Sequence, residues 1–227
     1  MSENKKSSLE MVKLGLVLAL YASVSCAVLA LVNNFTAPKI TANQEAKIAS
    51  SMKAFFPEEG CIFEKAENFS GKNLGNIKIE QIILAKKEGL VLGGAAQVSG
   101  PTYDQGTIFV GMKKDGTLQG LKFLKLTDSP GFGLKANDPT FTLPNGKTFY
   151  GQFEGKNAAS AFKAGENFDA ISGATITSLS VAALINAGTS SIFEALEASS
   201  SDSDSLSEAE NALDSNKVSA RVGGEEN

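Results

Sequence analysis

The chain has 227 residues, which suits one domain of ordinary size together with accessory segments, and its formal charge of −4 argues against nucleic acid as a partner. It contains no His and two cysteines, Cys26 and Cys61. This composition excludes His-dependent catalytic triads, His-containing zinc sites, His-ligated haems and a four-thiolate iron–sulfur cluster held by this chain alone. Any redox chemistry therefore has to come from a cofactor held by other groups, for which an organic cofactor is the natural candidate. We predict no metal site and no catalytic residue.

The first predicted element is a membrane anchor. Residues 14–32 carry no charge, and a helix of this length spans roughly 28 Å, close to the ~30 Å hydrocarbon core of a bilayer. Lysines precede the run, which favours a cytoplasmic N-terminus over residues 1–13 and an external location for everything after the anchor. A cleaved signal peptide and a lipoprotein Cys26 fit less well, because the run is long and ends in bulky residues. We predict an uncleaved anchor over residues 14–36.

A helical stalk and a strand-rich region follow the anchor. Apolar residues recur at helical spacing up to Phe56, just before Pro57, so residues 37–57 are predicted to form the stalk. Four strand-like runs come next, and the Asp115-Gly116 pair between the last two indicates a hairpin. The predicted strands are residues 77–85, 90–98, 107–113 and 117–126, and a Gly- and Pro-rich loop region covers residues 127–144.

Two helices are predicted after the loop region, a short one over residues 157–164 and a long amphipathic one over residues 176–197, whose apolar face begins with Ile176 and Leu179. Strands in a run followed by a packed helix predict an α+β domain with a largely antiparallel sheet over residues 58–198. The remaining residues, 199–227, include seven acidic and two basic residues and no aromatic one. This composition predicts a disordered acidic tail, with a short helix around residues 206–213 as the alternative that stays open.

The start of the long helix carries the strongest chemical motif. Residues 169–178 read Asp-Ala-Ile-Ser-Gly-Ala-Thr-Ile-Thr-Ser. Small residues allow close approach of a ligand, and the first N–H groups of a helix lack intrahelical acceptors, so this is an anion site. A hydroxyl here can cap the helix, bind a phosphate or be joined to one covalently. A plain N-cap by Ser172 or Thr175 is the structural alternative.

This segment resembles the D-x-x-[ST]-G-A-[ST] flavinylation motif of the FMN-binding domain family. In that family a flavin transferase joins FMN to the final hydroxyl residue through a phosphodiester, and that residue maps onto Thr175. The resemblance therefore implies covalently bound FMN at Thr175. It also implies a cofactor-binding role for the neighbouring residues Asp169, Ser172, Gly173, Ala174, Thr177 and Ser178.

A second segment, residues 128–133, reads Asp-Ser-Pro-Gly-Phe-Gly and is similar to the family motif E-T-P-G-L-G. The resemblance implies a loop that approaches the isoalloxazine ring, with contacts from Ser129, Pro130, Gly131, Phe132, Gly133 and Leu134. Lys135 is a candidate cation for the phosphate, with a solvated surface lysine as the alternative. The family commonly has Gly-Tyr-Gly-Gly before the hairpin strand, whereas residues 102–105 here read Thr-Tyr-Asp-Gln, so no contact is predicted from this segment.

The layout of roughly residues 10–197 is similar to the G-subunit family of Rnf-type electron-transport complexes. This implies an electron-carrying subunit of the cytoplasmic membrane, with its FMN domain outside, that works with other subunits and a flavin transferase. Such a complex moves electrons between reduced ferredoxin and NAD, coupled to translocation of Na⁺ or H⁺. The alternatives are the related C-subunit family of the sodium-pumping NADH:quinone reductase, a stand-alone membrane-anchored flavoprotein, and a non-enzymatic adhesin or scaffold.

Overall fold

The computed structural model describes residues 3–69 and 71–222, and the chain falls into two compact units that divide between Lys47 and Ile48. Helix α1 runs from Glu3 to Phe55. From Glu10 onwards it is long and apolar enough to cross a membrane. The predicted anchor and stalk are therefore one continuous helix. Pro38 lies inside it and removes one backbone donor without ending the helix.

The second unit contains one antiparallel sheet in the order β1-β3-β4-β5-β6, with β2 also paired to β3. The α+β prediction is confirmed, and so are the four predicted strands, which are now β3 to β6. The short edge strands β1 and β2 lacked an alternating pattern long enough to be predicted. The strands are β1 Ile62–Lys65, β2 Asn73–Leu74, β3 Ile77–Lys87, β4 Leu90–Gly100, β5 Gly106–Lys113 and β6 Leu118–Leu126.

Helix α2 (Thr175–Val222) covers one face of the sheet. Ile185 and Ile192 are fully buried in the core on this side. Gly188 allows close approach, because a Cβ atom there would lie 2.8 Å from Val110 and 2.9 Å from Val98. The predicted apolar face is wrong at its start, where Ile176 and Leu179 are 59% and 48% exposed. Ile176 lines the cavity described below, so its side chain does not enter the core.

The end of α1 packs on the opposite face of the sheet. The Phe55 ring is stacked on Phe109, with 5.9 Å between centroids. It enters a gap between two glycines that pair across β5 and β6, Gly111 and Gly120. A Cβ atom would lie 2.3 Å from the Phe55 ring if added to Gly111 and 2.7 Å from it if added to Gly120, so only glycine leaves room for the ring. We call this gap the glycine slot. The surrounding core consists of Ile48, Met52, Phe56, Ile83, Ala85, Ala95 and Leu124.

The segment between β6 and α2 is irregular, and the short helix predicted over residues 157–164 is wrong. Side-chain hydrogen bonds compete with helix formation here. The Ala159 N–H donates to Asn157 Oδ1 over 2.7 Å, and the Phe162 N–H donates to Asn186 Oδ1 over 2.8 Å. Edge-to-face phenylalanine pairs hold the segment on the core instead; the rings are Phe149, Phe153, Phe162 and Phe168.

The backbone after Ser199 also differs from the prediction, because α2 remains helical as far as Val222. Residues 189–222 contain neither Gly nor Pro and include several Ala, Leu and Glu residues, which favour helix. Among the residues whose burial is described, which end at Ser199, the last member of the buried core cluster is Leu196. Residues 223–227, the end of the predicted tail, lie outside the described residues.

Candidate functional site

A cavity of about 560 Å³ opens at the start of α2, a size within the ~300–1,000 Å³ usual for small-molecule sites. Three chain segments form its walls: the loop before β5, the loop after β6 and the first turn of α2. The structure therefore brings the two predicted motif segments together. The lining residues are Tyr103, Ser129, Pro130, Phe132, Gly133, Gly173, Ala174, Thr175, Ile176 and Thr177.

The turn into α2 is shaped by Gly173 and Ser178. Gly173 has φ of +80°, a conformation that residues with a Cβ atom rarely adopt. The buried Ser178 hydroxyl accepts a hydrogen bond from the Ile171 N–H over 3.0 Å and donates one to the Ala174 carbonyl over 2.9 Å. Ser178 thus fixes the turn and does not line the cavity. The helix begins at Thr175, with its first N–H groups directed out of its N-terminal end.

The hydroxyl groups of the motif differ in their availability. Thr177 is 1% exposed, and its hydroxyl donates to Asp128 over 2.5 Å. Ser178 is fully buried and satisfied by the bonds described above. Thr175, by contrast, is exposed and lines the cavity. The N-cap alternative for Thr175 or Ser172 gains no support, since neither hydroxyl makes a hydrogen bond within the described residues.

The loop after β6 approaches this helix turn closely. Gly133 is buried, and a Cβ atom on it would lie 2.6 Å from the Thr177 hydroxyl and 2.6 Å from Asp128 Cβ. Any larger residue at position 133 would force the loop away from α2. The adjacent Phe132 is 59% exposed and lies beside Gly173 at the cavity. Its ring therefore offers a large apolar surface to a ligand.

Asp128 joins the three walls from behind the cavity. This carboxylate is 2% exposed and accepts hydrogen bonds from the Thr102 hydroxyl at 2.5 Å and the Thr177 hydroxyl at 2.5 Å. The backbone N–H groups of Asp104 and Tyr103 also donate to it, over 3.0 and 3.3 Å. Burial raises the pKa of Asp128, but these four hydrogen bonds outweigh it and hold the pKa below its usual value.

Some predicted residues lie away from the cavity. Asp169 is exposed on another surface, where its carboxylate accepts a hydrogen bond from the Asn145 amide over 2.8 Å. Ser172 is exposed beside the turn without lining the cavity. Lys135 has its Nζ atom 5.2 Å from the centroid of the Phe141 ring and does not line the cavity either. Gly131 and Leu134 flank lining residues but are not among them.

Sequence reasoning missed three residues of this site or left them without a role: Tyr103 and Ile176, which line the cavity, and Asp128, which bonds to its walls. The segment that contains Tyr103 departs from the family pattern, and no contact was predicted from it. The departures at Thr102 and Asp128 are in fact in direct contact, since their side chains share a hydrogen bond. The two departures occurring together, a hydroxyl residue at position 102 and a carboxylate one methylene shorter than Glu at position 128, are the signal that could have linked the two segments.

Comparisons with known proteins agree with this arrangement. The profile of the FMN-binding domain family matches residues 103–190, which include all the walls of the cavity. The profile of the RnfG N-terminal region matches residues 1–54, the α1 region. The chain therefore combines a region that matches the FMN-binding domain family with an N-terminal apolar helix.

Similar proteins cover most of the chain. The G subunit of an ion-translocating oxidoreductase complex from Vibrio vulnificus is 26% identical, over 73% of this chain and 81% of its own length. Its Erwinia tasmaniensis counterpart is 28% identical over the same shares. The G subunit of a Na⁺-translocating ferredoxin:NAD⁺ oxidoreductase complex from Acetobacterium woodii is 28% identical, over 77% of this chain and 87% of its own length. Together with the two profile matches, these relatives make the chain similar over most of its length to G subunits of ion-translocating oxidoreductase complexes.

Proposed function

We propose that this protein is the FMN-carrying electron-transfer subunit of a membrane-bound, ion-translocating oxidoreductase complex that exchanges electrons between ferredoxin and NAD. The observation that carries the proposal is the cavity itself. It is built by both motif segments, lies within the part of the chain that matches the FMN-binding domain family, and exposes the Thr175 hydroxyl at a helix N-terminus. The other subunits of such a complex are its partners, as the names of the relatives imply.

The residues of the cavity fit the two ends of FMN. The N-terminus of α2 suits the phosphate, because its unpaired N–H groups and the positive end of the helix dipole attract an anion. Tyr103, Phe132 and Ile176 offer exposed apolar surface to the ring system. When bound, FMN supplies the capacity for one- and two-electron transfer. The protein binds and orients the cofactor and needs no catalytic side chain of its own.

We further propose that a flavin transferase attaches FMN covalently, through a phosphodiester between its phosphate and Thr175 Oγ. The Thr175 hydroxyl loses its proton and the FMN phosphate loses one oxygen substituent, so that the product equals protein plus FMN less one water. Support comes from the contrast among the motif hydroxyls, of which Thr175 is exposed in the cavity while Thr177 and Ser178 are buried and hydrogen-bonded. A covalent link removes dissociation altogether, which matters for a domain outside the cytoplasm without a supply of free FMN. A link through the phosphate also leaves the electronic structure of the ring unchanged.

Covalent flavin is the direct test of this function. Membranes from cells that produce the full chain together with a flavin transferase are expected to show a fluorescent band at its position in a denaturing gel. The same cells without the transferase serve as the control and should show no such band. A protein that never acquires flavin under these conditions would favour the adhesin or scaffold alternative. The proteins that co-purify with the chain separate the remaining alternatives. Ferredoxin- and NAD-linked subunits support the proposal, a quinone-reducing complex supports the quinone-reductase alternative, and no partner supports a stand-alone flavoprotein.

The orientation of the FMN domain is a separate prediction. We propose that everything after the anchor lies outside the cytoplasm, because the lysines that flank the apolar run closely precede it. A phosphatase reporter that requires disulfide formation outside the cytoplasm, fused to the C-terminus of the full chain, is therefore expected to be active. A reporter that works only in the cytoplasm should be inactive in the same position. Activity of the cytoplasmic reporter would show the opposite orientation.

A further inference from the structure

Asp128 is a buried charged residue that is next to one cavity-lining residue in the chain and hydrogen-bonded to others. Its own side chain does not line the cavity, but its chain neighbour Ser129 does, and so do its contacts Tyr103, Gly133 and Thr177. The carboxylate accepts hydrogen bonds from the loop before β5 and from the first turn of α2, two segments that are far apart in the chain. One side chain thus joins walls that would otherwise be independent.

The charge of Asp128 has no counter-cation in the described part of the chain. The ion pairs there involve other acids, and the four donors to Asp128 are two hydroxyl and two backbone N–H groups. Dipoles stabilise a carboxylate in place without cancelling its net charge. In surroundings of low dielectric constant, the field of such a charge extends over several ångströms. The field of Asp128 therefore reaches a cofactor bound in the cavity.

The packing around Asp128 leaves little freedom to move. A Cβ atom on Gly133 would meet Asp128 Oδ2 at 2.7 Å as well as Asp128 Cβ at 2.6 Å. The hydroxyls of Thr102 and Thr177 lie at 2.5 Å from its two different oxygens. The carboxylate is consequently fixed in position, so that its electrostatic effect on the cavity is fixed as well.

We propose that Asp128 is a positioning residue for the flavin, which ties the Tyr103 loop to the first turn of α2 and places a negative charge behind the cavity that lowers the reduction potential of the cofactor. This inference rests on the proposed function, because it needs a flavin in the cavity. The sign follows from electrostatics: reduction adds negative charge to the flavin, and a fixed carboxylate nearby opposes that gain. Removing the charge therefore makes the flavin easier to reduce.

The test is a redox titration of the flavin-loaded full chain in detergent at neutral pH. Asp128→Asn keeps the shape of the side chain and removes its charge. At a fixed ambient potential, the ratio of reduced to oxidised flavin is expected to rise about tenfold over wild type, which for a two-electron couple is a shift of about 30 mV. Asp138→Asn is the matched control. Asp138 also accepts bonds from a backbone N–H and a hydroxyl, both of Thr140 at 2.8 and 2.7 Å, but Thr140 does not line the cavity, whereas the Asp128 partners Tyr103 and Thr177 do.

An Asp128→Asn potential equal to wild type or lower would overturn the inference while leaving the proposed function intact. A wild-type chain without flavin would instead defeat the proposed function itself. If Asp128→Asn does not retain flavin, Thr177→Val provides the test instead. This variant keeps the charge of Asp128 and removes only the hydroxyl on α2 that donates to it. Its potential is expected at or below the wild-type value, with altered visible circular dichroism of the flavin as the wall loosens. A raised potential, or an unchanged dichroism spectrum, would contradict the inference.

Discussion

Thr175→Val is expected to abolish covalent FMN and to leave a folded protein. Val keeps the branched shape of Thr and removes the oxygen to which the phosphate is proposed to be joined. Thr175 is exposed at the first position of α2, so the change removes no buried hydrogen bond and should affect the free energy of unfolding little. Intact-mass measurement of the purified chain gives the result: wild type should be heavier than its sequence by one FMN less one water, and the variant should match its sequence.

Two further variants make this result specific. Thr142→Val changes another exposed threonine, outside the cavity, and should retain the full mass increment. Thr177→Val removes the rival hydroxyl of the motif, which is buried and donates to Asp128, and is expected to lower the melting temperature but to keep the flavin. Covalent flavin on the Thr175→Val chain would show that the assignment of the attachment residue is wrong.

The largest expected loss of stability comes from Phe55→Ala. Phe55 is 3% exposed, is stacked on Phe109 and fills the glycine slot. Truncation of a buried Phe to Ala typically costs about 3–5 kcal/mol, because apolar burial is lost and a cavity remains. For a protein of this size such a loss lowers the melting temperature by about 10 °C. Thermal unfolding of the full chain in detergent, followed by circular dichroism, measures the change.

The same substitution at Phe35 is the control for this experiment. Phe35 is also in α1, but it is 79% exposed and lies outside the core cluster that Phe55 joins. Phe35→Ala should shift the melting temperature by less than about 2 °C, since exposed side chains contribute little to the free energy of unfolding. If Phe55→Ala shifts the melting temperature as little as Phe35→Ala does, the glycine slot does not hold the end of α1.

Local patterns were sufficient to predict most of the sheet and the start of α2. Strands β3 to β6 have long apolar runs separated by turn signals, and the Asp115-Gly116 turn joins β5 to β6 as expected. The motif before α2 combines small residues with a helix start, both of which are readable from neighbours in the chain. Both motif segments contribute to the walls of one cavity, although each can be recognised from its own residues alone.

Features that depend on distant contacts were not predictable in the same way. Asp128 and Thr102 are 26 positions apart, and only the fold brings the carboxylate and the hydroxyl together. Asn186 likewise draws the backbone of Phe162 into a hydrogen bond that replaces the helix expected there. The exposure of Ile176 follows from the cavity beside it, which no helical periodicity can reveal. These features arise only when distant segments of the chain have come together.

The glycine slot also has a consequence for the order in which the protein assembles. Gly111 and Gly120 face one another only after β5 and β6 have paired, and they lie more than fifty residues downstream of Phe55. The hairpin needs only local contacts, which form fast, whereas insertion of the ring closes a long loop. We therefore expect the helix end, although synthesised first, to be seated late, so that the ring of Phe55 stays in solvent or lipid until the hairpin exists.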